Sequence, residues 1–187
     1  MNVLGIDQGA NAGWSLWLNS KPTKWGEAKG PAQCAEVIQL VGSMTRDENG
    51  VSRVLVVFED HSSMRMMGTK KRGQARTFMT STAVLLGMGR AHGWWECCLD
   101  LVGHDPRARI KVDPKTWKSK VLGNGNLNRD DAIRAAQRHA EALGAVMPGP
   151  DEAVACVMAH WATLAPEARE AWERAYGPKA RKRKGAA

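Results

Sequence analysis

The chain has no apolar run approaching the roughly 20 residues a membrane helix requires, no C-x-x-C pair among its four cysteines, and no internal repeat. The first absence argues against a membrane-spanning chain, the second against a paired-cysteine metal or redox centre, and the third against a solenoid or propeller. No signal-like segment precedes the first predicted strand, so a reducing, cytoplasmic setting is expected. Cys34, Cys97, Cys98 and Cys156 then read as ordinary buried thiols. Size is limiting too: 187 residues at 43% apolar composition supply one packed α/β domain, expected over residues 1–176, and no second core. That shortage discounts a two-domain ATPase of the actin or sugar-kinase type, which would share the Gly-x-Asp-x-Gly opening but needs a second phosphate loop and a second domain.

Positive charge is abundant. A net charge of +8 and a pI near 9.6 point to a polyanionic partner, with nucleic acid the natural candidate. Part of the charge is concentrated. Residues 62–76 carry Arg65, Lys70, Lys71, Arg72 and Arg76 with little apolar periodicity, which predicts an exposed basic loop. The last residues, 177–187, include Lys179, Arg181, Lys182, Arg183 and Lys184, and predict a self-repelling, disordered phosphate anchor. The eight tryptophans are expected mainly in the core, with Trp94, Trp95 and Trp117 as the candidates for a DNA or subunit interface.

The hydrophobic pattern predicts strands at 3–8, 13–18 and 24–28 in an antiparallel meander, then a helix after Gly30-Pro31 and a buried strand at 54–58. Beyond the basic loop it predicts a helix over 74–92, a fifth strand over 95–102 and a basic connector over 106–125. Helices are expected over 128–143, 151–164 and 166–176, the first two separated by Pro148-Gly149-Pro150.

Two of these strands end alike. Val3-Leu4-Gly5-Ile6 runs into Asp7, and Val54-Leu55-Val56-Val57-Phe58 runs into Glu59. Strand-end acids placed side by side can hold a hard divalent cation, which is the layout of a metal-dependent nuclease. The plainer alternatives are an Asp7 that shapes a turn, a solvated Glu59, and an Asp151 that caps its helix. An acid directly after five apolar residues is costly unless exposed or paired, which weighs against the plain reading of Glu59. Asp60 and His61 read as structural or surface residues.

A β-β-β-α-β-α-β-α-α order with acids on the first and fourth strands and on a late helix is the pattern of the ribonuclease H-like fold: α/β, with a mixed five-stranded sheet, its first three strands antiparallel, flanked by helices. Five motifs in order are similar to those of the RuvC-type Holliday junction resolvases and their phage-borne relatives. These are Leu4-Gly5-Ile6-Asp7-Gln8-Gly9, Val57-Phe58-Glu59-Asp60, Gly73-Gln74-Ala75-Arg76, the connector Val112–Lys118 with Gly123–Arg129, and Asp151-Glu152-Ala153-Val154-Ala155. The resemblance implies a homodimer, in a bacterial or phage-infected cell, that cuts two opposed strands of a four-way DNA junction during recombination or repair. It implies two Mg²⁺ ions per site, or Mn²⁺ in their place. Asp7 would bridge the ions, with Glu59 and one or both of Asp151 and Glu152 completing the shell. Lys118 would steady the scissile phosphate, helped by Arg129, and Lys115 would be among the residues that bind the DNA.

The family commonly sets two acids three residues apart on the last helix; here Gly149 stands three before Glu152 and Val154 three after Asp151. Register with the Ala-x-Ala pattern favours Glu152, and Asp151 stays a candidate. Arg129 replaces the usual lysine, keeping charge and phosphate geometry but making proton transfer difficult. Two alternatives remain at this point: a nuclease for other branched DNA such as flaps, Y-forms or R-loops, and a junction-binding protein without chemistry. Met64, Met66 and Met67 in the basic loop form an apolar tip suited to wedging into an opened junction. The helix over 74–92 is the expected dimer surface.

Overall fold

The computed structural model describes residues 1–9, 11–60 and 82–178, with backbone alone for 82–85. Arg65, Lys70, Lys71, Arg72 and Arg76, His61, the three methionines, the Gly73–Arg76 motif and residues 179–187 of the tail lie outside the described residues.

Strands β1 (Val3–Asp7), β2 (Ala12–Leu18) and β3 (Lys21–Ala28) form an antiparallel meander. Asn19 and Ser20, both at positive φ, make the two-residue turn between β2 and β3. After helix α1 (Gly30–Thr45), β4 (Leu55–Glu59) pairs parallel with β1, and β5 (Arg109–Val112) pairs parallel with β4. The sheet order is β3-β2-β1-β4-β5. This is the mixed five-stranded sheet expected from the sequence. The remaining helices are α2 (Thr82–Leu101), α3 (Pro114–Leu122), α4 (Arg129–Ala142), α5 (Pro150–Leu164) and α6 (Pro166–Tyr176).

Alternation along the strands divides the core in two. Leu4 and Ile6 of β1 and Val56 and Phe58 of β4 pack on Val37, Ile38 and Val41 of α1 and on Trp95 and Leu99 of α2. Val3, Leu55 and Val57 face the other way, onto α5 with α3, α4 and α6 around it. Helix α5 lies flat on the sheet because both surfaces are small where they meet. A Cβ on Gly5 would overlap the carbonyl oxygen of Ala155, and one on Gly13 would overlap the backbone of Asp151.

Two expectations fail. Residues 95–102, expected as the fifth strand, mostly form the C-terminal part of α2. The buried positions of α2, Ala91, Trp95, Cys98 and Leu99, recur at helical spacing, and a short apolar run does not by itself distinguish strand from buried helix. The helix also separates Cys97 and Cys98, so only Cys98 is buried and Cys97 is exposed. The expected connector 106–125 is largely ordered structure, with a 3-10 turn at Pro106–Ala108, then β5 and α3. Asp113 caps α3 by accepting from the Lys115 amide, Pro114 occupies its first position, and Gly123 closes it in the left-handed conformation at φ 78°. Trp94 is half-buried, whereas Trp95 and Trp117 are core residues. Among the described residues, no helix is long and apolar enough to cross a membrane.

Candidate active site

The acids meet because of strand register. Val3, Gly5 and Asp7 face α5, as do Leu55, Val57 and Glu59. Ile6 pairs with Phe58 across the parallel β1–β4 ladder, so the next step sets Asp7 beside Glu59 on the α5 face. On the other side of β1, Asp7 pairs with Gly13 and Gly13 with Glu27. The first turn of α5 descends onto the gap left by Gly13. A Cβ on Gly9 would stand 3.5 Å from Asp151 Oδ2, which locates that carboxylate over the turn after Asp7.

The electrostatics follow this geometry. Burial pushes Asp7 well above the usual carboxylate range, Glu59 and Asp151 push it further, and Arg129 opposes them. Glu59 is raised by burial against the pull of the Trp117 hydrogen bond and the Lys118 charge, with Asp113 adding to the rise. Asp151 is raised by burial, with Arg129 opposing and Glu27 adding. A buried carboxyl that two neighbouring acids raise further, as Glu59 and Asp151 raise Asp7, is costly to ionise without a compensating cation.

Asp151 and Glu152 take different directions. The cap of α5 is Gly149, which offers no side-chain cap, and Pro150 is the first helical residue. Asp151 is therefore inside the first turn rather than capping it, because the helix begins one residue earlier than expected. Successive residues diverge by about 100° on a helix. Asp151 comes to Asp7 and Arg129, while Glu152, only 2% exposed, curls back toward Gly149. A side chain at position 149 would collide with the Glu152 carboxylate, whose Oε2 has no hydrogen-bond partner among the described residues. Burial raises Glu152; its own backbone N–H opposes, and Glu27 and Asp151 add.

Two cations flank the acids. The Trp117 indole N–H donates to Glu59 Oε1 at 3.1 Å, and on the next residue Lys118 Nζ donates to the Leu127 carbonyl at 3.0 Å. The Gly123-x-Gly125 turn permits that contact. Gly125 sits against the Lys115 carbonyl, where a Cβ would come within 2.9 Å, and the chain folds back over α3. Asn128 then caps α4 by accepting from the Asp131 amide at 2.9 Å, so that Arg129 opens the helix beside Asp7 and Asp151. Lys115 is exposed on α3.

As the side chains stand, no three His, Cys, Asp or Glu residues among those described are drawn close enough to hold a metal ion. The donor set nonetheless suits a hard divalent cation. Asp7, Glu59, Asp151 and Glu152 offer only carboxylate oxygens, one of them buried without a partner.

No protein-family model matches the sequence, and no curated protein sequence matches it. Solved structures do match. Thermus thermophilus RuvC is 13% identical with a TM-score of 0.52, over 87% of this chain and 93% of that one. T. thermophilus RuvC in complex with Holliday junction substrate is 15% identical with a TM-score of 0.55, over the same shares. The yeast mitochondrial Holliday junction resolvase Ydc2 is 14% identical with a TM-score of 0.42, over 96% of this chain and 83% of that one. The chain has the RuvC fold. Within this RuvC fold, several side chains near the acids were not expected as site residues. Trp117 was expected in the core or at an interface; it is in the core and also orients Glu59. Glu27 needs the β2–β3 register to be found, and Gln8 with His92 needs the packing of α2 behind β1. Only Gln8 carried a local signal, as the residue directly after Asp7.

Proposed function

We propose that the protein is a metal-dependent, structure-selective DNA endonuclease that resolves four-way junctions by paired symmetric nicks. The observation that carries this reading is the convergence of Asp7 and Glu59 at neighbouring strand ends with Asp151 in the first turn of α5, where Glu59 and Asp151 both raise the Asp7 carboxyl and Lys118 and Arg129 lie alongside. The fold supports it, since a protein of this fold has been solved on Holliday junction substrate. Basic composition is also in keeping with a DNA partner.

Bound divalent ions, two of Mg²⁺ or Mn²⁺, would supply an activated water and neutralise charge on the leaving oxygen. Asp7 lies between the other acids and is the residue suited to bridging, with Glu59 and Asp151 on either side and Glu152 in reserve behind Asp151. Trp117 fixes one oxygen of Glu59 through its indole N–H. Lys118 stabilises charge on the phosphate as it builds up, and Arg129 forks onto a neighbouring phosphate oxygen without exchanging its proton. Symmetric nicking implies two copies of the chain, one for each opposed strand. Lys115, together with the cations of 65–76 and of the tail, supplies salt-dependent affinity for the backbone.

Cleavage mapping on a mobile four-way junction, alongside flap and Y-form DNA, tests the substrate with each metal in turn. The expected result is paired nicks at matching positions on opposed strands. Asp7→Asn and Glu59→Gln should abolish cutting while junction binding survives. Turnover in both variants would refute the metal site, and equal cutting of flaps would refute the junction assignment.

A further inference from the structure

On the face of the sheet away from the carboxylates, one side chain touches the neighbours of both strand-end acids. His92 of α2 lies behind the ends of β1 and β4. Its Nδ1 is 2.8 Å from Gln8 Nε2, and its ring stands edge-on to Phe58, with centroids 5.2 Å apart and planes at 86°. Gln8 follows Asp7, and Phe58 precedes Glu59. Adjacent residues of an extended chain point to opposite faces, so whatever fixes Gln8 and Phe58 at the rear also fixes Asp7 and Glu59 at the front. We propose that His92 is a positioning residue that sets, from behind the sheet, the separation at which Asp7 and Glu59 present their carboxylates to a divalent metal.

The ring is itself anchored. Its Nε2 lies 3.5 Å from Glu96 Oε1, one turn along α2, and Glu96 Oε2 accepts from Arg109 at 2.6 Å. Arg109 opens β5, its side chain is 8% exposed, and it also meets Asp100 at 2.7 Å. One imidazole thus connects the end of β1, the end of β4 and, through Glu96, the start of β5. The contacts define a tautomer. Hydrogen on Nε2 faces the Glu96 carboxylate, which leaves the Nδ1 lone pair to accept from the Gln8 amide. Burial and the charge of Lys111 favour the neutral ring that this requires, against the opposing charge of Glu96. Gln8 is only 3% exposed, so its amide would be stranded without the bond.

This inference rests on the metal-site reading above, and metal binding to the DNA-free chain tests the two separately. Mn²⁺ affinity is measured by electron paramagnetic resonance on the full-length protein, with a thermal melt in the same buffer. His92→Leu keeps bulk but removes both nitrogens, and should weaken Mn²⁺ binding by about tenfold, the lower end of what losing a group bonded directly to a metal ligand costs, because His92 acts through the neighbours of the ligands. His92→Asn keeps an acceptor near the Nδ1 position and should recover most of that loss. Gln8→Leu removes the other half of the bond and should match His92→Leu; it carries the test if His92→Leu fails to melt cooperatively. Wild-type affinity in a folded His92→Leu or Gln8→Leu overturns the proposal. Equal weakening by His92→Asn and His92→Leu also overturns it, since bulk rather than the bond would then matter. A wild-type chain that binds no Mn²⁺ removes the metal site itself, and this inference with it.

Discussion

Glu59 shows what one residue needs in order to hold a charge at the edge of a core. Burial raises its pKa, and the two influences that bring it down come from adjacent residues of α3, the Trp117 indole N–H and the Lys118 ammonium. Trp117→Phe removes the donor and keeps an aromatic ring in the core. Without that hydrogen bond the Glu59 carboxyl rises further, so the ascending limb of a pH–rate profile for metal-supported cleavage should move to higher pH. Hydrogen bonds to charged groups contribute about 1.5–3 kcal/mol, so the rate on that ascending limb, below its plateau, should fall roughly ten- to a hundredfold. An unshifted limb would mean that the indole only packs. The acids themselves were legible in the sequence, because an apolar run that ends in a carboxylate is conspicuous whatever surrounds it. Their partners were not. Trp117, 58 residues from Glu59, and His92, 84 residues from Gln8, carry no local mark of the contacts they make.

The decisive element is α5, and the sheet is cut to receive it. Ala153, Ala155 and Ala159 are fully buried along it, and Gly5 and Gly13 lie beneath with no room for a side chain. Gly5 meets the middle of the helix and Gly13 meets its first turn, so alanine at each should act differently. Both substitutions press a Cβ into backbone, which cannot rotate away, and both should destabilise by about 1–3 kcal/mol in chemical denaturation. Gly13→Ala should in addition displace Asp151 and weaken Mn²⁺ binding, while Gly5→Ala, at equal stability loss, should leave affinity nearer to wild type. Equal affinity losses in the two would show that α5 moves as one rigid piece. The strands of the meander and helices α4 to α6 could be read from alternation, prolines and glycines. The stretch 95–102 could not, since Trp95, Cys98 and Leu99 suit a buried strand as well as a buried helix face. Asp113-Pro114 and Gly123 did carry start and stop signals for α3, but the density of basic residues between them looked like a connector.

Across the whole molecule, the buried acids set the chemistry of the site against the stability of the fold. Burial, Glu59 and Asp151 hold the Asp7 carboxyl well above its ordinary range, so the folded chain retains a proton that the unfolded chain has released. The sign follows from linkage. The stabilisation tied to that proton is fully present below the unfolded value of about 4 and is lost as pH rises through the higher folded value. Histidines act in the opposite sense. His104, His139 and His160 are all lowered by burial, so their contribution is present above about 6.5 and is lost as pH falls through their folded values. Asp7→Asn separates the two effects because it abolishes one titration and leaves the histidines alone. In the presence of a chelator at pH 7.5, Asp7→Asn should melt above wild type by roughly 2–4 °C, the effect of about 1 kcal/mol in a chain of this size. The gap should close as pH falls toward 4, where Asp7 itself becomes neutral. Saturating Mn²⁺ should reverse the order, because an ion that binds only the folded wild-type site adds stability by mass action. Differential scanning calorimetry along the two axes, pH and Mn²⁺, is the measurement. A wild type that melts higher than Asp7→Asn in chelator at pH 7.5, or a gap that widens on acidification, would mean that Asp7 is satisfied by the protein alone and is not held in reserve for a cation.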